Sequence, residues 1–184
     1  MAEQNIDFEL IRKFIDGDES SFNKIVNKYK DKIYWHARRM TGNHLDADEI
    51  VQEVLFVVYK NLKGFKFKSS LYTWIYKITS TRSLNYLKRR KIKEVLSLED
   101  QSEKLYKNSD DILENIEVKE KLEMVNKVLQ KLPSKQREIF ILRNYENLSY
   151  KEISDITGKS IGALKSNYFH SIKKIIEMMK ENEH

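Results

Sequence analysis

The stretch Leu148-Ser149-Tyr150-Lys151-Glu152-Ile153-Ser154-Asp155-Ile156-Thr157-Gly158-Lys159-Ser160-Ile161-Gly162-Ala163-Leu164-Lys165-Ser166-Asn167 decides how this chain folds. Ser149 and Glu152 form a capping box, which opens a short helix. Ile153 and Ile156 recur at helical spacing, and Gly158 stands where a left-handed residue would end that helix. Ser160 can cap a second helix carrying Ile161, Leu164, Ile172, Ile175 and Ile176. Ser154 is small enough for the two helices to touch, and Ile153 and Leu164 fill the angle between them. The spacing predicts a helix-turn-helix over 149–168.

In that geometry the second helix enters a major groove. The leading exposed residues are Ser160, Gly162, Ala163, Lys165, Ser166 and Asn167, with Ser149 and Tyr150 opening the first helix. Gly162 and Ala163 let the backbone approach DNA closely. Lys165, Ser166 and Asn167 can donate to phosphate or base edges, and His170, one turn on, can touch phosphate. A plain helical hairpin with a solvated basic face satisfies the same pattern, so the rest of the chain has to decide.

Upstream, Leu132-Pro133-Ser134 breaks the chain before a helix over Lys135 to Asn144. Farther back, Gly17, Gly42 and Gly64 each follow an apolar set at helical spacing, and each suits a left-handed cap. Asp18 can cap a helix carrying Phe22, Ile25, Val26, Tyr29 and Ile33. Asp46 with Glu49 reads as a capping box opening a run to Leu62, and Ser69 or Ser70 can open a long helix from Leu71 to about Lys91. No stretch alternates apolar and polar residues between turn signals, and no repeat period is present. The expected fold class is all-α.

Charge divides the chain. From Lys66 to Lys93 every charged residue is basic; from Glu94 to Glu117 the sign inverts, with only Lys104 and Lys107 opposing. A basic block followed by an acidic one separates a polyanion-binding surface from something else. The expected organisation is a helical module over 1–93, a flexible acidic linker over 94–111, and the helix-turn-helix module over 112–184. With 184 residues, a net charge of +6 and no Cys, the chain excludes disulfides, a catalytic thiol and Cys-based metal sites. Its apolar runs are too short to span a bilayer and its first residues lack a signal-peptide core, so a cytoplasmic protein without stable membrane insertion is expected.

The first module offers two surfaces. Glu49, Gln52, Glu53 and Phe56 share one face of their helix, opposite Ile50, Val54, Val57 and Val58. An exposed Phe beside carboxylates and an amide suits a partner-docking face. The segment Phe65 to Lys93 interleaves aromatics with cations, a pattern that stacks unpaired bases while holding their backbone. Phe65 is placed in the loop before the long helix, where a flipped base could be captured; Arg82, Asn85 and Arg89 run along one side of that helix, and Trp74 is assigned to the core.

Taken together, these blocks resemble the extracytoplasmic-function (ECF) class of bacterial RNA polymerase sigma factors. The resemblance spans nearly the whole chain. It is carried by Asp46-Ala47-Asp48-Glu49-Ile50-Val51-Gln52-Glu53-Val54, Tyr72-Thr73-Trp74-Ile75-Tyr76-Lys77-Ile78, Leu132-Pro133-Ser134-Lys135-Gln136-Arg137-Glu138, Leu148 to Ile153, and Ile161-Gly162-Ala163-Leu164-Lys165-Ser166. It implies that Asp48, Glu49, Gln52, Glu53 and Phe56 dock on the clamp helices of core polymerase. It implies that Phe65, Lys77, Thr81, Arg82, Asn85, Arg89 and Arg90 open the −10 promoter element and hold a flipped non-template base, and that the helix-turn-helix reads the −35 element. It further implies a linker threading toward the RNA exit path, and an anti-sigma factor as partner. The chain departs from the family at Thr81, where Asn is usual, at Asn167 and His170, where Arg is common, and at Thr157 and Lys159, where apolar residues are commoner. Losing one Arg pairing shifts discrimination at a base by roughly 1–3 kcal/mol.

The expected function is therefore that of an alternative sigma factor, with no catalytic residue, cofactor or metal of its own. Two other readings compete. A stand-alone helix-turn-helix regulator would need neither the docking face nor the aromatic loop. A nucleic-acid hydrolase would need metal ligands from the pairs Asp46/Asp48 or Asp110/Asp111, and His36, His44, His170 and His184 are scattered singletons.

Overall fold

The computed structural model describes residues 2–96 and 125–181. Helix α1 (Ala2–Ile15) precedes α2 (Glu19–Thr41), α3 (His44–Leu62) and α4 (Leu71–Leu96). Residues 125–131 are helical (α5), followed by α6 (Ser134–Asn144), α7 (Tyr150–Thr157) and α8 (Ile161–Glu181). All regular structure among the described residues is helical. Residues 97–111 of the expected acidic linker lie outside the described residues; Glu94 belongs to α4.

Most helix ends follow the residues expected of them. Asp18 caps α2 by accepting from the Ser20 N–H at 3.0 Å, and the Ser70 hydroxyl accepts from the Thr73 N–H at 3.0 Å before α4. Gly42 ends α2 with φ 74°, its N–H donating to the Arg38 carbonyl. Two boundaries differ. Asn43, not Asp46, caps α3, because its side chain reaches the Asp46 N–H at 3.1 Å. Asp46 instead turns its carboxylate to Arg90 at 2.9 Å. Gly64 takes no left-handed conformation: α3 ends right-handed at Lys63, and the left-handed residue is Phe67, φ 55°. A non-Gly residue there costs about 1 kcal/mol or more. Edge-to-face rings offset it, with Phe67 5.1 Å from both Phe8 and Phe65.

Two hydrophobic cores follow from the helix faces. The first joins α1 to α4 through Ile11, Phe14, Ile25, Ile33, Ile50, Val54, Val58, Leu62 and Ile75. The second holds the helix-turn-helix together through Ile139, Leu142, Leu148, Ile153, Ile156 and Leu164. It also contains Tyr76, which comes from α4. Ile161 and Ile176, expected on the apolar side of α8, are instead half-exposed.

The lobes meet across α2 and α4. Arg137 of α6 is buried and donates to the Met40 carbonyl near the end of α2, and to the Gln130 and Leu132 carbonyls in its own lobe. Gln130 Nε2 donates to the Arg39 carbonyl at 3.0 Å. Together they satisfy carbonyls that a helix C-terminus leaves open. Burial pulls the Arg137 guanidinium down to about 10, with Arg90 nearby adding to it. Tyr76 Oη donates to Glu146 at 2.6 Å, and Ser80 Oγ to the buried Glu138. Arg39 lies over the Tyr145 ring, 4.1 Å from its centroid.

His36 of α2 is wholly buried, edge-on to Tyr76, and neither ring nitrogen has a hydrogen-bond partner. Burial, with Arg39 next, lowers its pKa from 6.5 to about 3. The unfolded chain therefore binds a proton below pH 6.5 that the folded chain refuses, so stability falls with pH in that window. Between pH 7.5 and 5.5 the loss from this residue is about 1.4 kcal/mol. Urea titrations should show that difference between the native chain and His36→Phe, which sacrifices no hydrogen bond. Parallel pH profiles for the two would remove His36 from the account.

Candidate nucleic-acid interface

Three surfaces carry the residues singled out by sequence. On α3, Ile50, Val54 and Val58 face the core, which turns Glu49, Gln52 and Phe56 outward. All three are exposed; Phe56 is 58% exposed, with Lys60 Nζ 4.3 Å from its ring centroid. The other two members of the set are engaged. Asp48 lies 3.3 Å from His44, and Glu53 holds Arg89 at 2.9 Å and Arg82 at 3.9 Å.

On α4, Lys77, Thr81 and Asn85 recur every four residues along an exposed stripe. Thr81 Oγ1 donates back to the Lys77 carbonyl at 2.8 Å. Arg82 and Arg89 lean toward Glu53, whose carboxylate raises the Arg89 pKa. Arg90 binds Asp46 and donates to the Thr41 carbonyl at 3.2 Å, so it pins α4 to the α2–α3 turn. Tyr86 packs beside it, and burial, then its hydrogen bond to Asp46, push its hydroxyl pKa up. Phe65 is the correction on this surface: it is 7% exposed, not presented in the loop. Its ring is enclosed by Phe8, Phe67 and Trp74, at 5.4 Å from the last. It props the loop from beneath. Trp74 is partly buried against the first core, as expected.

The third surface is the helix-turn-helix. Ser149 and Glu152 form both bonds of the capping box, and Gly158 turns the chain with φ 70°. Ser154 Oγ closes the turn on the Lys159 carbonyl at 2.7 Å. Ile153 and Leu164 are fully buried in the angle. Ser160, Gly162, Ala163, Lys165 and Ser166 are exposed at the start of α8, as is His170 farther along. A Cβ on Gly162 would meet nothing within 4 Å, so this face is open. Asn167 Nδ2 is turned back to the Ala163 carbonyl at 2.8 Å. Tyr150 is half-buried between Arg143 and Lys165, 5.1 and 5.9 Å from its ring centroid.

Phe169, missed in the sequence, is 64% exposed beside His170. Its only sequence signal is that it falls off the apolar stripe of α8. Among the described residues no group of three or more His, Asp or Glu is placed to hold a metal. Asp46 and Asp48 are taken by Arg90 and His44, and Asp110 and Asp111 lie outside the described residues. No described helix is long and apolar enough to cross a membrane.

A basic helix beside a carboxylate-bearing one, joined to an open helix-turn-helix, defines an all-helical protein of the helix-turn-helix DNA-binding class. Residues 25–92 match sigma-70 region 2, and residues 122–175 match sigma-70 region 4. The ECF RNA polymerase sigma-E factor of Haemophilus influenzae is 30% identical over 182 residues, covering 95% of this chain and 96% of the relative. The ECF sigma factor SigW of Bacillus subtilis is 28% identical over 178 residues, covering 93% and 95%. The chain belongs to the ECF class of RNA polymerase sigma factors. Two solved structures share the fold. CnrH with the cytosolic domain of CnrY has TM-score 0.71 at 17% identity, covering 96% of this chain and 98% of that one. RpoE from Bartonella quintana, with the anti-sigma factor NepR, has TM-score 0.70 at 21% identity, covering 86% and 96%.

Proposed function

We propose that this chain is an alternative sigma factor that binds core RNA polymerase through α3 and directs promoter recognition, strand opening and transcription initiation. The observation that carries the reading is the split on α3. One face is welded into the first core, while Glu49, Gln52 and Phe56 stand free on a rigid helix beside the basic α4. Core polymerase docks there. Lys77, Thr81, Arg82, Asn85 and Arg89 hold the parted −10 strands, and α8 reads the −35 duplex through Ser160 to Asn167. The chain works in the cytoplasm, and an anti-sigma factor competes for it.

Its work is differential binding, with no bond made or broken by its own residues. Unstacking a base costs a few kcal/mol, which stacking and hydrogen bonds in the opened complex offset. Polymerase supplies the phosphoryl transfer.

Transcription reconstituted with core polymerase and a promoter library tests this. Specific initiation that depends on the added chain is expected. A folded chain that supports initiation on no template overturns the reading. Duplex binding without polymerase, undiminished by Glu49→Lys, would instead favour a stand-alone regulator.

A further inference from the structure

His36 stands where the two cores meet. It lies on α2, wholly buried, with its ring edge-on to Tyr76 and 5.6 Å away between centroids. Tyr76 belongs to the core of the C-terminal lobe, with Ile153 and Ile156. One turn farther along α2, the Met40 carbonyl receives Arg137 of α6. The imidazole thus sits in the seam between the lobes, and it reaches water when they part.

The groups around it offer no counter-charge. On α2 itself, Arg39 follows three residues on, its guanidinium over Trp35 and Tyr145. Helix α6 brings Arg137, which is buried, and Glu138, which accepts from Ser80 and faces Lys159 at 3.5 Å. The turn after α6 brings Glu146, which accepts from Tyr76 and lies 3.9 Å from Arg39. Helix α4 brings Tyr76 and, stacked on it, Tyr72. Helices α1 and α3 bring Asp7 and Asp46, but Lys28 and Tyr29 hold the first and Arg90 holds the second. These carboxylates are committed, and neither nitrogen of His36 has a hydrogen-bond partner. A proton on that ring would be a buried charge without an acceptor, one turn from a guanidinium. Burial, then Arg39, accordingly keep the ring neutral in the folded chain.

This asymmetry makes the contact between the lobes sensitive to pH. With the lobes together, the ring refuses a proton. With the lobes apart, water solvates it and it titrates as an ordinary histidine, near pH 6.5. Opening below that pH takes up a proton, so acidification drives opening by mass action. Between pH 7.5 and 5.5 the ratio of open to closed chains rises about tenfold.

We propose that His36 is a proton-operated release between the lobes: the hold of α6 and α7 on α2 and α4 weakens as the surroundings acidify, while the helices of each lobe stay intact. This release is a property of the chain itself and stands apart from promoter reading.

The chain has no Cys, and Ser80 of α4 is buried under Glu138 of the opposite lobe. Ser80→Cys therefore puts a single thiol where parted lobes admit N-ethylmaleimide. Its modification rate in the full-length chain, divided by the rate in the urea-unfolded chain at the same pH, reports the open fraction. That ratio should rise about tenfold from pH 7.5 to 5.5 and hardly depend on low urea. In the His36→Phe background it should stay flat, and His36→Leu repeats the comparison with a smaller side chain. Glu138, Glu146 and the thiol are common to every background, so their own titration cancels. An equal rise in the His36 variants, or no rise with His36 present, overturns the proposal. So does modification that climbs steeply with low urea, because global unfolding would then be what reaches the thiol.

Discussion

The triple variant Glu49→Lys, Gln52→Lys, Phe56→Ala is expected to weaken binding to core polymerase by about 100-fold or more, with almost no change in thermal midpoint. All three side chains are exposed on α3 and none contributes to the first core. Surface changes of this kind move folding stability by no more than about 0.5 kcal/mol. A buried aromatic anchor in an interface is worth about 2 kcal/mol when truncated, and reversing the charge around it adds repulsion. Glu53 is a poor choice for the same test. It holds Arg89 and Arg82, so its loss would also release two cations of the proposed DNA surface. Competition binding against the native chain, paired with thermal melts, decides the matter. Unchanged affinity in a well-folded variant would move the docking face elsewhere.

Ala163→Glu should separate folding from reading in the opposite sense. The Ala163 N–H donates to Ser160 Oγ at 3.3 Å, which makes 163 the third position after the cap. A glutamate there completes a capping box and lies near the positive end of the α8 dipole, so the C-terminal lobe keeps or gains a few tenths of a kcal/mol. In the proposed −35 complex the same carboxylate faces the phosphates that line the major groove. Like-charge contact of that kind costs several kcal/mol, so −35-dependent transcription should fall by about 100-fold. Initiation on a template that needs only the −10 element should be spared. Equal loss on both templates would show that the lobe acts otherwise than by reading duplex.

What the residues disclose in advance, and what they withhold, divides by physical range. The capping box at Ser149 and Glu152, the turn at Gly158 and the buried Ile153 and Leu164 are local, and appear where their spacing puts them. The exposed side of α3 was legible because its opposite side is unbroken aliphatic. Asp46 was misread as a cap because its partner, Arg90, is 44 residues away. Phe65 was misread as a presented ring because Phe8, far upstream, closes over it. The seat of Arg137 and Gln130 on the end of α2 was invisible for the same reason. Arg137 looks like one basic residue among many until the α2 carbonyls arrive beside it.

Tyr76 belongs to the first lobe by sequence and to the second by burial. A chimaera that grafts the C-terminal module of a relative onto this chain, joined within 97–124, would keep the ring and discard its socket. Such hybrids should be sticky unless the donor supplies residues equivalent to Ile153, Ile156 and Glu146. The natural unit of exchange is thus the C-terminal module together with the middle of α4.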